Sequence, residues 1–122
     1  MRIITKIIYI SGRYTDVNQW RVANNIRLAE QEAFKLMQLG FIPMIPHTLY
    51  QNFENAFSYK FLLHATVEIM KRCDGVLLLN NYNQSNGALK EKEVAQELNI
   101  PIFFNVNTCY SYFIGEGIEP NV

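Results

Sequence analysis

Glu91 stands where its neighbours raise a chemical question. On a helical wheel at ~100° per residue, Ala88, Leu89, Val94, Ala95 and Leu98 cluster on one side, and Glu91 falls near the middle of that cluster. Lys90, Glu93, Gln96 and Glu97 lie on the other side, with Lys92 at the border. A carboxylate centred on an apolar face is costly unless it is paired or hydrogen-bonded. Desolvation raises its pKa, and such groups are candidates for function. Two blander readings stay open on the wheel alone: a helix that begins later, and a glutamate that reaches solvent at a sheet edge. Glu93 faces away and reads as a solvated surface charge.

The residues just upstream add to the question. Ser85-Asn86-Gly87 is small and polar, which leaves backbone N–H groups at a helix N-terminus free to meet an anion. Ordinary capping by Ser85 or Asn86 explains the same residues. Near the N-terminus, Ser11-Gly12 closes an apolar strand and would let a ligand approach the backbone. It is not the dinucleotide fingerprint, because the second and third glycines are missing. Arg13 opens the polar loop that follows and joins the candidate binding residues. His47 follows Pro46 at the end of a short strand, within reach of a ligand, whereas His64 lies inside a helix and reads as packing or solvent-exposed. Tyr9 is a core-strand aromatic whose hydroxyl needs a partner if buried. The spacing of histidines and cysteines suggests no metal site, and no cofactor is implied.

These residues have to be positioned by a scaffold, and the chain spells one out. Ile3 to Ile10 reads as a buried strand. A long helix is predicted from Gln19 to Leu39, with Val22, Ile26, Ala29, Ala33 and Leu36 at helical spacing and Asn25 elsewhere on the wheel. Gly40 ends it. Phe41 to Ile45 is a second short strand, and Pro46 to Asn55 is a polar and aromatic loop. A second helix spans about Ala56 to Arg72, with Leu62, Ile69 and Met70 as core candidates, and Asp74-Gly75 breaks it. Val76 to Leu79 is continuously apolar, as in a parallel strand covered on both faces. Asn80 to Asn86 is a loop, Gly87 to Leu98 a third helix, and Pro101 to Phe104 a fourth strand. The tail from Asn105 to Val122 is ambiguous, but Tyr110, Tyr112, Phe113 and Ile114 should pack on the domain or on a second subunit.

The alternation of strand and helix predicts a single domain over 1–122, an open parallel sheet of four to five strands with helices on both faces. Ligands bind such sheets beyond the carboxyl ends of the strands. The loops 11–18, 46–55 and 80–86 would share that edge. Eleven basic residues balance eleven acidic ones, which argues against a general nucleic-acid binder. No apolar run is long enough for a membrane span, and no signal-peptide pattern opens the chain, so a cytoplasmic protein is expected. Cys73 reads as a buried reduced thiol.

Taken in order, these segments resemble the nucleoside 2-deoxyribosyltransferase-like superfamily, including the deoxynucleoside 5′-monophosphate N-glycosidases. The resemblance rests on Ile7-Ile8-Tyr9-Ile10-Ser11-Gly12, on Asn25, Ala29 and Ala33 leading to Leu39-Gly40-Phe41, and on Ile45-Pro46-His47. It continues through Arg72 to Leu79 and the pattern of Ser85, Gly87, Glu91 and Ala95. It covers about residues 7 to 104. It implies that Glu91 is a nucleophile that attacks the anomeric carbon of a 2-deoxyribosyl group and forms a sugar ester, in the manner of retaining glycosidases. It implies that Tyr9 orients that carboxylate, and that Ser85 and Gly87 lie near the 5′ end of the sugar.

The chain departs from the family at Thr66, where an aspartate usually binds or protonates the leaving base. A threonine cannot act as that acid. His47 or His64 could substitute, the leaving group could need no proton, or the site could bind without turnover. The implied partner is a nucleoside or nucleotide, cleaved or transferred at its N-glycosidic bond. The alternatives are a non-catalytic nucleotide-binding module and an interaction scaffold with a vestigial pocket. A homodimer or larger assembly is expected.

Overall fold

The computed structural model describes residues 2–14, 16, 18–50 and 52–115. Strands β1 (Ile7–Ser11), β2 (Ile42–Met44), β3 (Gly75–Leu78) and β4 (Ile102–Phe103) form one parallel sheet in the order β2-β1-β3-β4. Five helices connect or follow them: α1 (Gln19–Gln38), α2 (Pro46–Leu49), α3 (Tyr59–Met70), α4 (Asn86–Glu97) and α5 (Val106–Gly115). The α/β architecture with helices on both sheet faces is the one the sequence predicts.

Strand periodicity sorts the core into two layers. Ile8, Ile10, Leu77 and Leu79 point to one face and pack with Ala29, Ala33 and Leu36 of α1 and Val106, Cys109 and Phe113 of α5. Tyr9, Val76 and Leu78 point to the other and meet Val67 and Met70 of α3 and Val94 and Ala95 of α4. Ser11, two residues beyond Tyr9, falls on the α3–α4 side by the same alternation. That alternation aims Tyr9 and Ser11 at the helix carrying Glu91.

Local chemistry sets the helix ends. Asn18 caps α1, its side chain accepting from the Trp20 N–H at 2.8 Å. At the other end Gly40 takes φ +95°, the Phe41 N–H bonds the Leu36 carbonyl and the Gly40 N–H bonds the Met37 carbonyl, both at 3.0 Å. That is a Schellman ending, and a Cβ at Gly40 would sit 2.1 Å from the Arg2 carbonyl oxygen. Asn99, at φ 58°, ends α4 the same way, with the Ile100 N–H bonded to the Ala95 carbonyl at 2.9 Å.

Several boundaries and burials differ from expectation. Strand β1 begins at Ile7 rather than Ile3, because the Ile4 N–H is taken by the Gly40 carbonyl outside the ladder. Helix α3 begins at Tyr59 rather than Ala56, since Ser58 caps it by accepting from the Phe61 N–H at 3.1 Å. Pro46 opens the short helix α2 within the expected loop, as suits a residue without an N–H at a first helical position, and a single 3₁₀ turn (Tyr82–Gln84) interrupts the next loop. Leu89 and Leu98 are exposed, because α4 buries only a narrow stripe of Ala88, Glu91, Val94 and Ala95. Cys73 is half-buried rather than buried. Within α3, Leu62 and Ile69 are only half-buried, while Val67 and Met70 are buried.

Asn25 is buried, contrary to its place on the wheel. Its amide donates to the Tyr14 carbonyl and its oxygen accepts from Asn81, each at 3.2 Å. A buried amide is held there because its polar atoms find partners in the two loops it joins. In the tail, Val106, Cys109 and Phe113 are buried at helical spacing and Phe113 meets Phe41 and Phe103. Residues 116–122 lie outside the described residues. Among the described residues, no helix is long and apolar enough to cross a membrane.

Candidate functional site

Glu91 lies on the buried stripe of α4 with Ala88, Val94 and Ala95, and the residue is 6% exposed. The hydroxyl of Tyr9 donates to Oε2, and Ser11 Oγ donates to Oε1 at 2.8 Å. Both carboxylate oxygens are therefore held by donors from one face of β1. Burial pushes the Glu91 carboxyl above the usual carboxylate range, and the hydrogen-bonding hydroxyls of Tyr9 and Ser11, with the nearby hydroxyl of Thr66, oppose that push. The Tyr9 hydroxyl is raised well above its ordinary range, first by burial and then by the neighbouring carboxylate. Tyr9 thus stays a neutral donor, and its buried hydroxyl has its partner. The isolated cost of burying a carboxylate is large; two hydroxyl donors make this one tolerable. Glu93, by contrast, is exposed, as the wheel predicts.

Beside this cluster lies a cavity of about 310 Å³ at the carboxyl end of the sheet. Tyr9, Thr66, Ala88 and Glu91 line it from the sheet and helices, and Gly12, Pro46, His47, Ser85 and Gly87 line it from the loops and helix starts. The three loops expected to share one edge do so. Gly12 lets that edge close up: a Cβ there would lie 2.6 Å from Leu79 Cδ1. Ser85 caps α4, accepting from the Ala88 N–H at 3.1 Å, and also faces the cavity.

His47 is buried at the cavity wall, its Nε2 3.2 Å from the Arg13 carbonyl oxygen. Burial pushes its pKa down to about 4, against the pull of that carbonyl. Thr66 also lines the cavity and donates to the Leu63 carbonyl at 3.1 Å. Thr66, where the resemblance implies an aspartate, is therefore part of this cavity.

Other expected residues stand elsewhere. Ser11 touches Glu91 from behind rather than lining the cavity. Arg13 does not line it either: its guanidinium bonds Gln84 at 3.2 Å and pairs with Asp16 at 3.0 Å, tying the first loop to the 3₁₀ turn. Asn86 is exposed at the start of α4, and His64 is exposed on α3, neither lining the cavity.

An aromatic wall was not anticipated. Tyr14, Tyr50 and Tyr59 line the cavity with Glu54, whose carboxylate accepts from the Tyr14 hydroxyl at 3.2 Å. Burial, and then Glu54, push the Tyr14 hydroxyl up to about 12. The only sequence signal for this wall is the density of Tyr and Phe between Tyr50 and Phe61. Tyr50, Phe53, Phe57 and Phe61 recur at spacings of three and four, but that spacing does not mark Glu54 and Tyr59, which belong to a turn and a helix start. Among the described residues, no group of three His, Cys, Asp or Glu is placed to hold a metal ion.

The geometry offers a buried carboxylate, oriented by two hydroxyls, facing a largely apolar and aromatic cavity of about 310 Å³. Comparison with known proteins adds the following. A family model described as "Domain of unknown function (DUF4406)" matches residues 6–104. The fold is similar to that of a 2-deoxyribosyltransferase from the psychrotolerant bacterium Bacillus psychrosaccharolyticus, at 16% identity and a TM-score of 0.56, over 79% of this chain and 69% of that one. It is also similar to a conserved protein from Enterococcus faecalis V583, at 19% identity and a TM-score of 0.64, over 81% of this chain and 62% of that one. The matched region thus spans less than two thirds of the Enterococcus protein. At these identities the likeness is one of fold. No curated protein matches the chain.

Proposed function

Because the chain belongs to the DUF4406 family, within the nucleoside 2-deoxyribosyltransferase-like group, we propose that it cleaves or transfers at the N-glycosidic bond of a deoxynucleoside or nucleotide. A Glu91 carboxylate oxygen attacks the anomeric carbon, and the bond to the base breaks with its electron pair leaving on the base nitrogen. The resulting ester is opened by water or by the nitrogen of a second base, which returns Glu91 as a carboxylate, and the proton that this nucleophile loses is made up on the base that left. Tyr9 and Ser11 are positioning residues that hold the two oxygens. Gly12, His47, Ser85 and Gly87 contact substrate, and Arg13 ties the first loop to the 3₁₀ turn beside it.

The observation that carries this reading is the buried Glu91 carboxyl, fastened by the Tyr9 and Ser11 hydroxyls beside a cavity of about 310 Å³. Incubation with a panel of nucleosides and 5′-monophosphates, read by chromatography of the freed base, tests it. Release is expected with wild type and not with Glu91→Gln, whose melting temperature should stay close to wild type. No release across the panel refutes the catalytic reading.

Thr66 in place of an acid favours a second reading, a nucleotide-binding module without turnover. Its mark is a nucleotide that raises the melting temperature equally in wild type and Glu91→Gln, with no base released. A homodimer or larger assembly is also proposed. Its support is the apolar surface the chain exposes, with Trp20 at 85% and Phe34 at 62%. A monomer in sedimentation at high concentration would rule it out.

A further inference from the structure

The cavity holds negative charge with no cationic side chain to balance it. Glu54 and Glu91 both line it. All eleven lysines and arginines fall among the described residues, and none of them lines it. Arg13, in the loop beside the cavity, is engaged by Asp16 at 3.0 Å and Gln84 at 3.2 Å. His47 brings no positive charge at neutral pH, because burial pushes its pKa down to about 4. Its Nε2 faces the Arg13 carbonyl, which can only accept, so the neutral ring carries its proton there. Its Nδ1 is buried without a hydrogen-bond partner among the described residues.

Glu54 lies in the turn between α2 and α3 and is exposed, so its charge stands at the open side of the cavity. The Tyr14 hydroxyl donates to its carboxylate at 3.2 Å, and the Tyr14 ring meets His47 edge-on at 6.0 Å. Those contacts tether the carboxylate to the wall. A cleft lined by charge of one sign focuses its field on whatever enters. The opposing feature is the N-terminus of α4, where Ser85 and Gly87 line the cavity. A helix end carries only about half an elementary charge, and Ser85 Oγ already takes the Ala88 N–H at 3.1 Å. By charge count that half does not offset the Glu54 carboxylate.

Resting on the nucleoside reading above, we propose that the substrate is an uncharged nucleoside, and that Glu54 determines specificity by turning away the 5′-monophosphate. A phosphomonoester carries a charge of about −1.5 to −2 at pH 7. Like charges in one cleft raise the energy of the wrong ligand, so the rejection needs no contact between Glu54 and the phosphate. A phosphate ~8 Å from one carboxylate, at an effective dielectric constant of ~40, is disfavoured about tenfold or more.

2′-Deoxyadenosine against its 5′-monophosphate, and thymidine against its own, differ only in the phosphate. Kd by calorimetry, and kcat/KM for base release, are measured at low and high salt for wild type, Glu54→Gln and Glu93→Gln. Glutamine at 54 keeps an acceptor for the Tyr14 hydroxyl and removes the charge. Glu93→Gln removes the same charge from the exposed side of α4. Wild type should favour each nucleoside about tenfold or more at low salt, and the ratio should shrink as salt rises. In Glu54→Gln the ratio should fall several-fold toward one, while Glu93→Gln should match wild type. A merely structural role for Glu54 would weaken both members of a pair alike and leave the ratio. Wild type that takes a monophosphate as well as its nucleoside, or better, overturns the proposal alone. So does a ratio that Glu54→Gln leaves unchanged. Should that variant fail to fold, the salt series on wild type decides, and a ratio indifferent to salt overturns the proposal. Absence of binding and turnover with all four ligands overturns the nucleoside reading and this proposal together.

Discussion

Tyr9→Phe removes one of the two hydroxyls that hold the Glu91 carboxylate and leaves the ring in the core. A hydrogen bond to a charged group contributes about 1.5–3 kcal/mol, and one pKa unit corresponds to about 1.36 kcal/mol. Burial already pushes Glu91 above the usual range, and the Tyr9 donor is the largest influence opposing it. Its loss should therefore raise the pH at which Glu91 ionises still further. If the carboxylate is the nucleophile, the acid limb of the pH–rate profile for base release moves up by the same amount. Below that limb the rate falls about tenfold per pH unit. Folding should suffer less than the lost bond suggests, because the carboxyl can take up a proton instead of staying buried, charged and half-satisfied. Ser11→Ala should act in the same direction through Oε1, held at 2.8 Å, but the two effects will not add, because both donors serve one carboxylate. The assay is the pH dependence of base release for wild type and both variants, with the Glu91 carboxyl followed by carbon NMR. An acid limb in Tyr9→Phe that coincides with wild type, or lies below it, refutes the assignment of Glu91 as the ionising nucleophile held by Tyr9.

Two further outcomes follow from the same geometry. A Cβ at Gly87 would lie 3.1 Å from the Tyr59 hydroxyl and 3.5 Å from Leu63, both of which line the cavity; Gly87→Ala should weaken nucleoside binding several-fold while the melting temperature holds or rises slightly, as alanine suits a helix by about 0.5–1 kcal/mol, and unchanged affinity in a calorimetric titration would contradict it. His47 is displaced from 6.5 to about 4 by burial, so the unfolded chain binds a proton first. The stability tied to its neutral ring is complete above pH 6.5 and is lost as pH falls toward about 4, in total about 3 kcal/mol. Urea unfolding at pH 7 and pH 4 should show that much less pH sensitivity in His47→Gln than in wild type, and equal sensitivity would show the ring is not buried neutral.

The sequence by itself determined a good deal. Periodicity and turn chemistry name the order of strands and helices, because apolar residues at period two or 3.6 have one face to bury and Gly40 and Asp74-Gly75 punctuate them. Glu91 was legible for the same reason: it sits in the middle of an apolar stripe, and Glu93 does not. Tyr9 and Ser11 share one face of a strand by simple alternation. What the sequence could not supply is contact across long separations. The bonds from Tyr9 and Ser11 to Glu91 join residues 82 and 80 positions apart, and only the docking of α4 over β1 decides that both donors reach the same carboxylate. Asn25 was misplaced because its burial depends on partners in two distant loops rather than on apolarity. The tyrosine wall and Glu54 were missed because the aromatic spacing from Tyr50 to Phe61 does not mark Glu54 or Tyr59. His47 was legible as a candidate by its place after a strand, but its tautomer and its unpartnered Nδ1 exist only because the fold sets the Arg13 carbonyl against the ring. Local pattern thus decides which face each element turns inward, and tertiary packing decides which side chains are fully buried and which of their polar atoms find partners.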